Sequence, residues 1–310
     1  MAKLIECIPN FSEGRDPKKI KKIQDAISGV KGVHILNSTS DTNHNRTVIT
    51  FVGEPKNVYK AAFEAVKAAA KIINLNDHTG VHPRIGATDV LPFVPLHSAT
   101  IKDCIDLAKK LGAQIGKDLK IPIYFYEKAA TRPERENLSE VRNVGYEKLR
   151  EEIGENPIRK PDFGPEKLTT AGATAIGVRE ILIAYNVNLN SNDIFLAREI
   201  ARKIRASNGG LSYVKALGLE LADRGIVQVS MNLTNYKETG IKEVYDLIKK
   251  EAKKEDVEIL ESEIIGLVPQ KALTDCAKDY RKYLKLTLDF KEEQILEVAL
   301  KQASKPSKKA

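Results

Sequence analysis

Apolar and polar residues along the chain switch between a helical spacing and a strand-like alternation, so helices and strands are expected in turn. Residues 4–8 read as a strand. Asp16 and Pro17 open a helix that runs to residue 27, with proline in the first turn, where an N–H would have no partner anyway. Residues 33–36 and 47–52 read as strands around a polar loop, residues 37–46. Residues 55–73 form a strong amphipathic helix: Val58, Ala62, Val66 and Ala69 share one face, and Lys60, Lys67 and Lys71 another. A strand at 91–94, a helix at 100–116 and a strand at 121–126 follow. Residues 132–145 are polar and irregular, with room for one helical turn, and the three prolines in 155–165 read as a linker.

A second series begins with a strand at 181–190 and a helix at 192–206. Residues 215–221 and 226–233 are two strands closed into a hairpin by Ala222-Asp223-Arg224-Gly225. A helix at 241–254 and a strand at 258–268 complete it. Each half thus places two strands in succession between helices, a βαββαβ order. That order favours an open sheet with helices on one face over a doubly wound sheet. The fold class expected is α+β, with two ferredoxin-like α/β sandwich subdomains, residues 1–180 and 181–300, and a basic tail at 301–310. A ligand held between subdomains is the general expectation for such a chain.

Composition narrows the function classes. The 310 residues are 42% hydrophobic and 30% charged, ordinary for a folded protein. No uncharged apolar run is long enough to span a bilayer, and the N-terminus lacks a signal-peptide core, so a cytoplasmic location is expected with no membrane partner. Cys7, Cys104 and Cys276 are odd in number and widely spaced, which argues against disulfides and cysteine-rich zinc sites and for core residues. The formal charge of +8 is spread over Lys/Glu-mixed helix faces and the tail. It would attract an anionic substrate. Basic residues are not interleaved with aromatics, so nucleic acid is not an expected partner.

Five histidines occur, and two fall in Asn76-Asp77-His78-Thr79-Gly80-Val81-His82-Pro83-Arg84. Their i,i+4 spacing matches a zinc-binding helix, but Gly80 lies between them and Pro83 follows His82, so they do not share a helix face, and no metal is expected. His82 is a candidate acid/base group, since imidazole suits proton transfer near neutrality; a surface or hydrogen-bonded histidine is the plain alternative. Arg84 suits a carboxylate clamp or a surface ion pair. In the second half, Asn186, Asn188 and Asn190 share one strand face, and Gln228, Ser230 and Asn232 another. Amides offer both donors and acceptors, as recognition of a planar heterocycle requires, although a wet sheet face would tolerate them too. Gly164, Gly172 and Gly177 precede a strand rather than follow one, so they do not form a dinucleotide fingerprint.

The chain resembles the glutamate formimidoyltransferases, which also occur as the transferase part of formimidoyltransferase-cyclodeaminase. The resemblance is carried by residues 6–14 (Glu-Cys-Ile-Pro-Asn-Phe-Ser-Glu-Gly), Asn45-Arg46-Thr47, Thr50-Phe51-Val52-Gly53 and residues 82–90 (His-Pro-Arg-Ile-Gly-Ala-Thr-Asp-Val). It continues through Pro161-Asp162-Phe163-Gly164-Pro165, Gly172-Ala173-Thr174, Ile183-Ala184-Tyr185-Asn186, Gln228-Val229-Ser230 and Gly266-Leu267-Val268-Pro269. It implies a two-subdomain enzyme with a substrate tunnel between the halves. That enzyme would move a formimidoyl group from N-formimidoyl-L-glutamate to N5 of tetrahydrofolate, the co-substrate. The family's catalytic histidine falls on His82. Its folate-contacting stretch falls on Phe163, Gly164, Pro165, Glu166, Lys167, Leu168, Thr169, Thr170, Ala171 and Gly172, of which residues 166–171 depart from the animal pattern. The amides Asn186, Asn188, Gln228 and Asn232, with Ser230, would orient the pterin. Arg84 or Arg46 would hold substrate carboxylates. The family often has an acidic residue near position 39; Thr39 stands there, and Asp41 is the substitute. A homodimer is implied, and no cyclodeaminase activity is expected. Formyl transfer involving 5-formyltetrahydrofolate and folate binding without turnover are the alternatives.

Overall fold

The computed structural model describes residues 2–80 and 83–303. The chain divides between Arg179 and Glu180 into two compact units.

In the first unit, β1 (Ile5–Cys7) and β2 (Asn10–Phe11) are two pieces of one line of chain, interrupted at Ile8 and Pro9. α1 (Pro17–Ser28) follows, with the Asp16 carboxylate accepting from the Lys18 and Lys19 N–H groups, the cap expected of Asp-Pro. Then come β3 (Val33–Asp41), β4 (Arg46–Gly53) and α2 (Pro55–Ile72). β5 (Thr88–Pro95) leads to α3 (Ile101–Gln114), whose start is fixed by a reciprocal Thr100–Asp103 capping box. β6 (Ile123–Glu127), α4 (Leu138–Arg142), α5 (Gly145–Glu152) and β7 (Thr174–Val178) complete the unit.

Both β1 and β2 lie antiparallel between β4 and β5, and β3 pairs outside β4. The strands to β5 therefore follow a βαββαβ order. β7 then adds parallel to β5, and β6 parallel to β7, giving a sheet of seven strands. This parallel extension is not visible in the hydrophobic pattern. Residues 174–178 are short, buried throughout and contain Gly177, over which the Tyr126 ring lies so closely that a Cβ would meet it at 2.2 Å. β3 is also longer than its apolar start suggests: polar Ser38, Thr39, Ser40 and Asp41 pair with β4, and the Ser40 and Thr47 hydroxyls bond at 2.9 Å. The loop expected at 37–46 shrinks to four residues, 42–45. α1, α2 and α3 pack on the sheet face carrying Ile5, Cys7, Phe51 and Phe93.

The second unit holds β8 (Ile183–Leu189), α6 (Ile194–Ile204), β9 (Val214–Leu221), β10 (Ile226–Leu233), α7 (Ile241–Lys254) and β11 (Ile259–Ile265). The short helices α8 (Gln270–Thr274), α9 (Tyr280–Tyr283) and α10 (Leu296–Ala303) follow. Its antiparallel sheet has the order β11-β8-β10-β9. Tyr185, Val187, Val229 and Met231 project into one core with Ile200, Val244 and Ile248 of the helices. The alternation then puts Asn186, Asn188, Gln228 and Ser230 on the opposite face.

Glu6 on β1 points away from the helices and is buried, between Val52 and Val94 on the flanking strands. Burial pushes its carboxyl up from 4.5 to about 7, against the opposing pull of Arg179. The folded state therefore binds this proton more tightly than the unfolded chain does. Its contribution to stability is present below about pH 4.5 and is lost as pH rises to about 7. Glu6→Gln is expected to match the wild type in urea titrations at pH 4.5 and to exceed it by up to about 3 kcal/mol at pH 8. Equal pH slopes for the two proteins would contradict this.

Candidate active site

The loop containing the expected acid/base histidine leaves α2, passes His78 and Arg84, and enters β5. Val81 and His82 themselves lie outside the described residues. Both flanks are held. Asn45, buried and in the left-handed region at φ 48°, donates from Nδ2 to Thr79 O at 3.0 Å and accepts from Gly14 N–H at 2.8 Å. The Asn45 carbonyl can only accept, so His78 Nε2 donates to it, at 3.1 Å, and in the neutral ring Nδ1 then keeps the lone pair. That Nδ1 is buried and has no hydrogen-bond partner among the described residues. Burial is the main reason His78 titrates below an ordinary histidine, which favours the neutral ring. Arg84 donates from Nη2 to His78 O at 3.0 Å and to Glu147 at 2.8 Å, so it braces this loop against α5.

Past the loop, Asp89 is fully buried. Its Oδ1 accepts from Ile85 N–H at 2.9 Å, which closes the chain back on itself. Its Oδ2 accepts from Arg46 at 2.7 Å and Arg142 at 2.9 Å. Burial raises this carboxyl, but the two guanidiniums and their hydrogen bonds outweigh it and hold the group below the usual carboxylate range. Arg46 also reaches Asn10 Oδ1 through Nη2 at 2.9 Å and Nε at 3.2 Å. Asp89, Arg142, Asn10 and Asn45 were not singled out as site residues in the sequence. Asp89, Asn10 and Asn45 fall within matched stretches, whereas Arg142 lies in the irregular region and carries no signal of its own.

The stretch expected to contact folate runs beside this loop. Just before it, Asp162 accepts from Arg135 Nη1 at 2.6 Å and from Phe125 N–H at 2.8 Å. Phe163 is exposed and packs edge-on to Phe125. Gly164 is also exposed, Pro165 is half-buried, and the exposed Glu166 pairs with Lys160. Lys167, Thr169 and Thr170 face solvent, and Leu168 and Ala171 are buried as anchors. Ala87 N–H donates to Ala171 O, and Ala173 N–H to Ile85 O, each at 2.8 Å. Gly172 makes the close approach possible: its φ is +67°, and a Cβ there would lie 2.2 Å from Ile85 O.

Sequence comparison gives this arrangement a family. The profile of the formiminotransferase domain, N-terminal subdomain, matches residues 4–179, and that of the formiminotransferase domain matches residues 184–305. The chain belongs to the formiminotransferase family. It is 49% identical to a glutamate formimidoyltransferase of Thermoplasma acidophilum over 97% of this chain and 98% of that one. It is 45% identical to the enzyme of the same name from Streptococcus pyogenes, over 90% and 94% of the two chains. A formimidoyltransferase-cyclodeaminase of Rattus norvegicus is 37% identical, over 95% of this chain and 56% of that protein.

The remaining site residues expected of a formiminotransferase are spread over both units. Asp41 is exposed, and its carboxylate accepts from His44 N–H at 2.7 Å and pairs with the His44 ring at 2.9 Å; the bond from His44 N–H is the main cause of its lowered pKa. On the second sheet, Asn188 and Gln228 face each other in register, as do Asn186 and Ser230, while Asn232 is exposed. Their donors turn toward β11: Asn186 to Glu263 at 2.9 Å, Asn188 to Glu261 at 3.0 Å, and Gln228 to Asn188 at 2.9 Å and Glu263 at 3.0 Å. The two glutamates escaped the sequence reading because only the strand register brings them alongside. Among the described residues no cluster of His, Cys, Asp and Glu could hold a metal ion.

Gly172→Ala is expected to lower stability by about 2 kcal/mol or more in urea titrations, because strain at positive φ adds to the clash with Ile85 O. An unchanged midpoint would contradict this packing.

Proposed function

We propose that this chain transfers the formimidoyl group from N-formimidoyl-L-glutamate to N5 of tetrahydrofolate, giving 5-formimidoyltetrahydrofolate and glutamate. The observation that carries the reading is the 49% identity to a glutamate formimidoyltransferase along nearly the whole of both chains. The geometry of the first unit supports it, with a histidine loop pinned on both flanks beside half-buried arginines suited to a carboxylate-bearing donor.

In this mechanism N5 attacks the formimidoyl carbon and a tetrahedral intermediate forms. His82 accepts the N5 proton and returns it to the departing glutamate nitrogen as the old C–N bond breaks. One group in reach of both nitrogens serves both steps. Arg84 or Arg46 holds the substrate carboxylates. Residues 163–172 contact the folate, and the amides of β8 and β10 orient the pterin, with Glu261 and Glu263 fixing their rotamers. Binding both substrates side by side supplies the proximity that the reaction needs. Asp41, through its hold on His44, supports the loop opposite Gly80. The ferredoxin-like description of each unit, supported by the βαββαβ orders, belongs to this reading, as do the substrate tunnel, the homodimer and the cytoplasmic location. Among the described residues no helix is long and apolar enough to cross a membrane.

His82→Ala is expected to lower kcat by about 10²–10⁴-fold while leaving the Kd for tetrahydrofolate within about threefold. Near-normal turnover by this variant would remove His82 from the role.

A further inference from the structure

Arg46 and Arg142 converge on one oxygen of Asp89, from the start of β4 and the end of α4. One carboxylate facing two guanidiniums leaves the trio with an excess positive charge. The place is poorly hydrated: Asp89 is fully buried, and the side chains of Arg46 and Arg142 keep only 12% and 16% of their exposure. The second oxygen of Asp89 is already committed to Ile85 N–H. Asn10, which satisfies more of Arg46, is neutral. An excess cation out of water is costly unless an anion completes it.

The two arginines are also unequal. Arg46 is oriented by Asp89 on one edge and Asn10 on the other. Arg142 touches Asp89 through Nη1, and its Nε is buried with no hydrogen-bond partner among the described residues. Guanidinium N–H groups lie in a rigid planar fork that matches a carboxylate edge. Arg142 is held by Asp89 through one nitrogen and its side chain remains 16% exposed, so its guanidinium has donors to offer a carboxylate, and its buried Nε is one more that the protein leaves unsatisfied among the described residues.

We propose that Arg142, cross-braced with Arg46 on the buried Asp89, forms a carboxylate subsite that takes a glutamate-type carboxylate of a substrate. This rests on the transfer reaction proposed above, in which two groups carry that chemistry: the donor's glutamate and the glutamyl tail of tetrahydrofolate. Asp89 is the positioning residue, and Arg142 supplies the contact. Losing a charge-assisted hydrogen bond to a bound carboxylate costs about tenfold or more in affinity.

The test compares wild type, Arg142→Gln and Arg142→Lys in full-length protein, with thermal melts as a check on folding. If the donor's glutamate occupies the subsite, Arg142→Gln raises KM for formimidoylglutamate by about tenfold or more with kcat changed less than about threefold. The preference for tetrahydrofolate over tetrahydropteroate, which lacks the tail, then stays as in wild type. If the tail occupies it, that preference collapses and KM for the donor is unchanged; both results support the subsite and tell the sources apart. Arg142→Lys keeps the charge without the fork and gives an intermediate rise, which still reads out if the Gln variant is unstable. Unchanged KM values and unchanged preference in a folded variant would overturn the subsite while leaving the transfer reaction standing. Calorimetric titration with glutarate against the neutral glutaramide gives a reading independent of turnover. Wild type binds glutarate more tightly, and the difference shrinks about tenfold or more in Arg142→Gln. Equal glutarate affinity in the two proteins would sink the proposal even if no turnover were found.

Discussion

The buried carboxylate of Asp89 ties together three segments far apart in sequence. It holds the backbone at Ile85 just after the histidine loop, the first residue of β4 and the last residue of α4. A lone buried carboxylate would be costly, and a buried pair would little more than break even. Here the geometry is over-determined, since each oxygen has a donor and Arg46 is held again by Asn10. Gly86, next to Ile85, makes a backbone bridge to Gly172, which joins the segment after the histidine loop to the 163–173 stretch. The His78 ring, hydrogen-bonded to the Asn45 carbonyl, braces the same loop on its other flank.

The architecture was legible in the sequence where local pattern decides it. Two strands in succession between helices gave the βαββαβ order in both units, and Asp16-Pro17 placed the start of α1 within a residue. The parallel pair β6 and β7 was half-hidden. β6 reads as an apolar run, but β7 is five buried residues behind a glycine-bearing loop, and nothing local says that it lies between β5 and β6. β3 carries serines, threonine and aspartate through its second half because it lies at the sheet edge against β4 only, where hydroxyl side chains are tolerated.

The candidate site came out of the sequence in a different way. His82, Arg84, Arg46 and the stretch from Phe163 to Gly172 came from motifs whose joint order is specific, whereas spacing alone left His82 a modest candidate. Partners that depend on folding stayed out of reach. Arg142 sits in a short polar helix with no periodic signature, and Glu261 and Glu263 look like ordinary solvent-facing residues until the register sets them beside Asn188 and Asn186. Those contacts also change the picture of the amide face. Asn186, Asn188 and Gln228 each donate to Glu261 or Glu263, which fixes their rotamers, while Asn232 stands exposed.

The most direct measurement is of the reaction itself. Purified protein is mixed with tetrahydrofolate and N-formimidoyl-L-glutamate, and the folate species and free glutamate are quantified by mass spectrometry over time. The expected result is 5-formimidoyltetrahydrofolate and glutamate appearing in equal amounts, at a rate proportional to enzyme. No product from that pair, or one-carbon transfer seen only between 5-formyltetrahydrofolate and glutamate, would contradict the account.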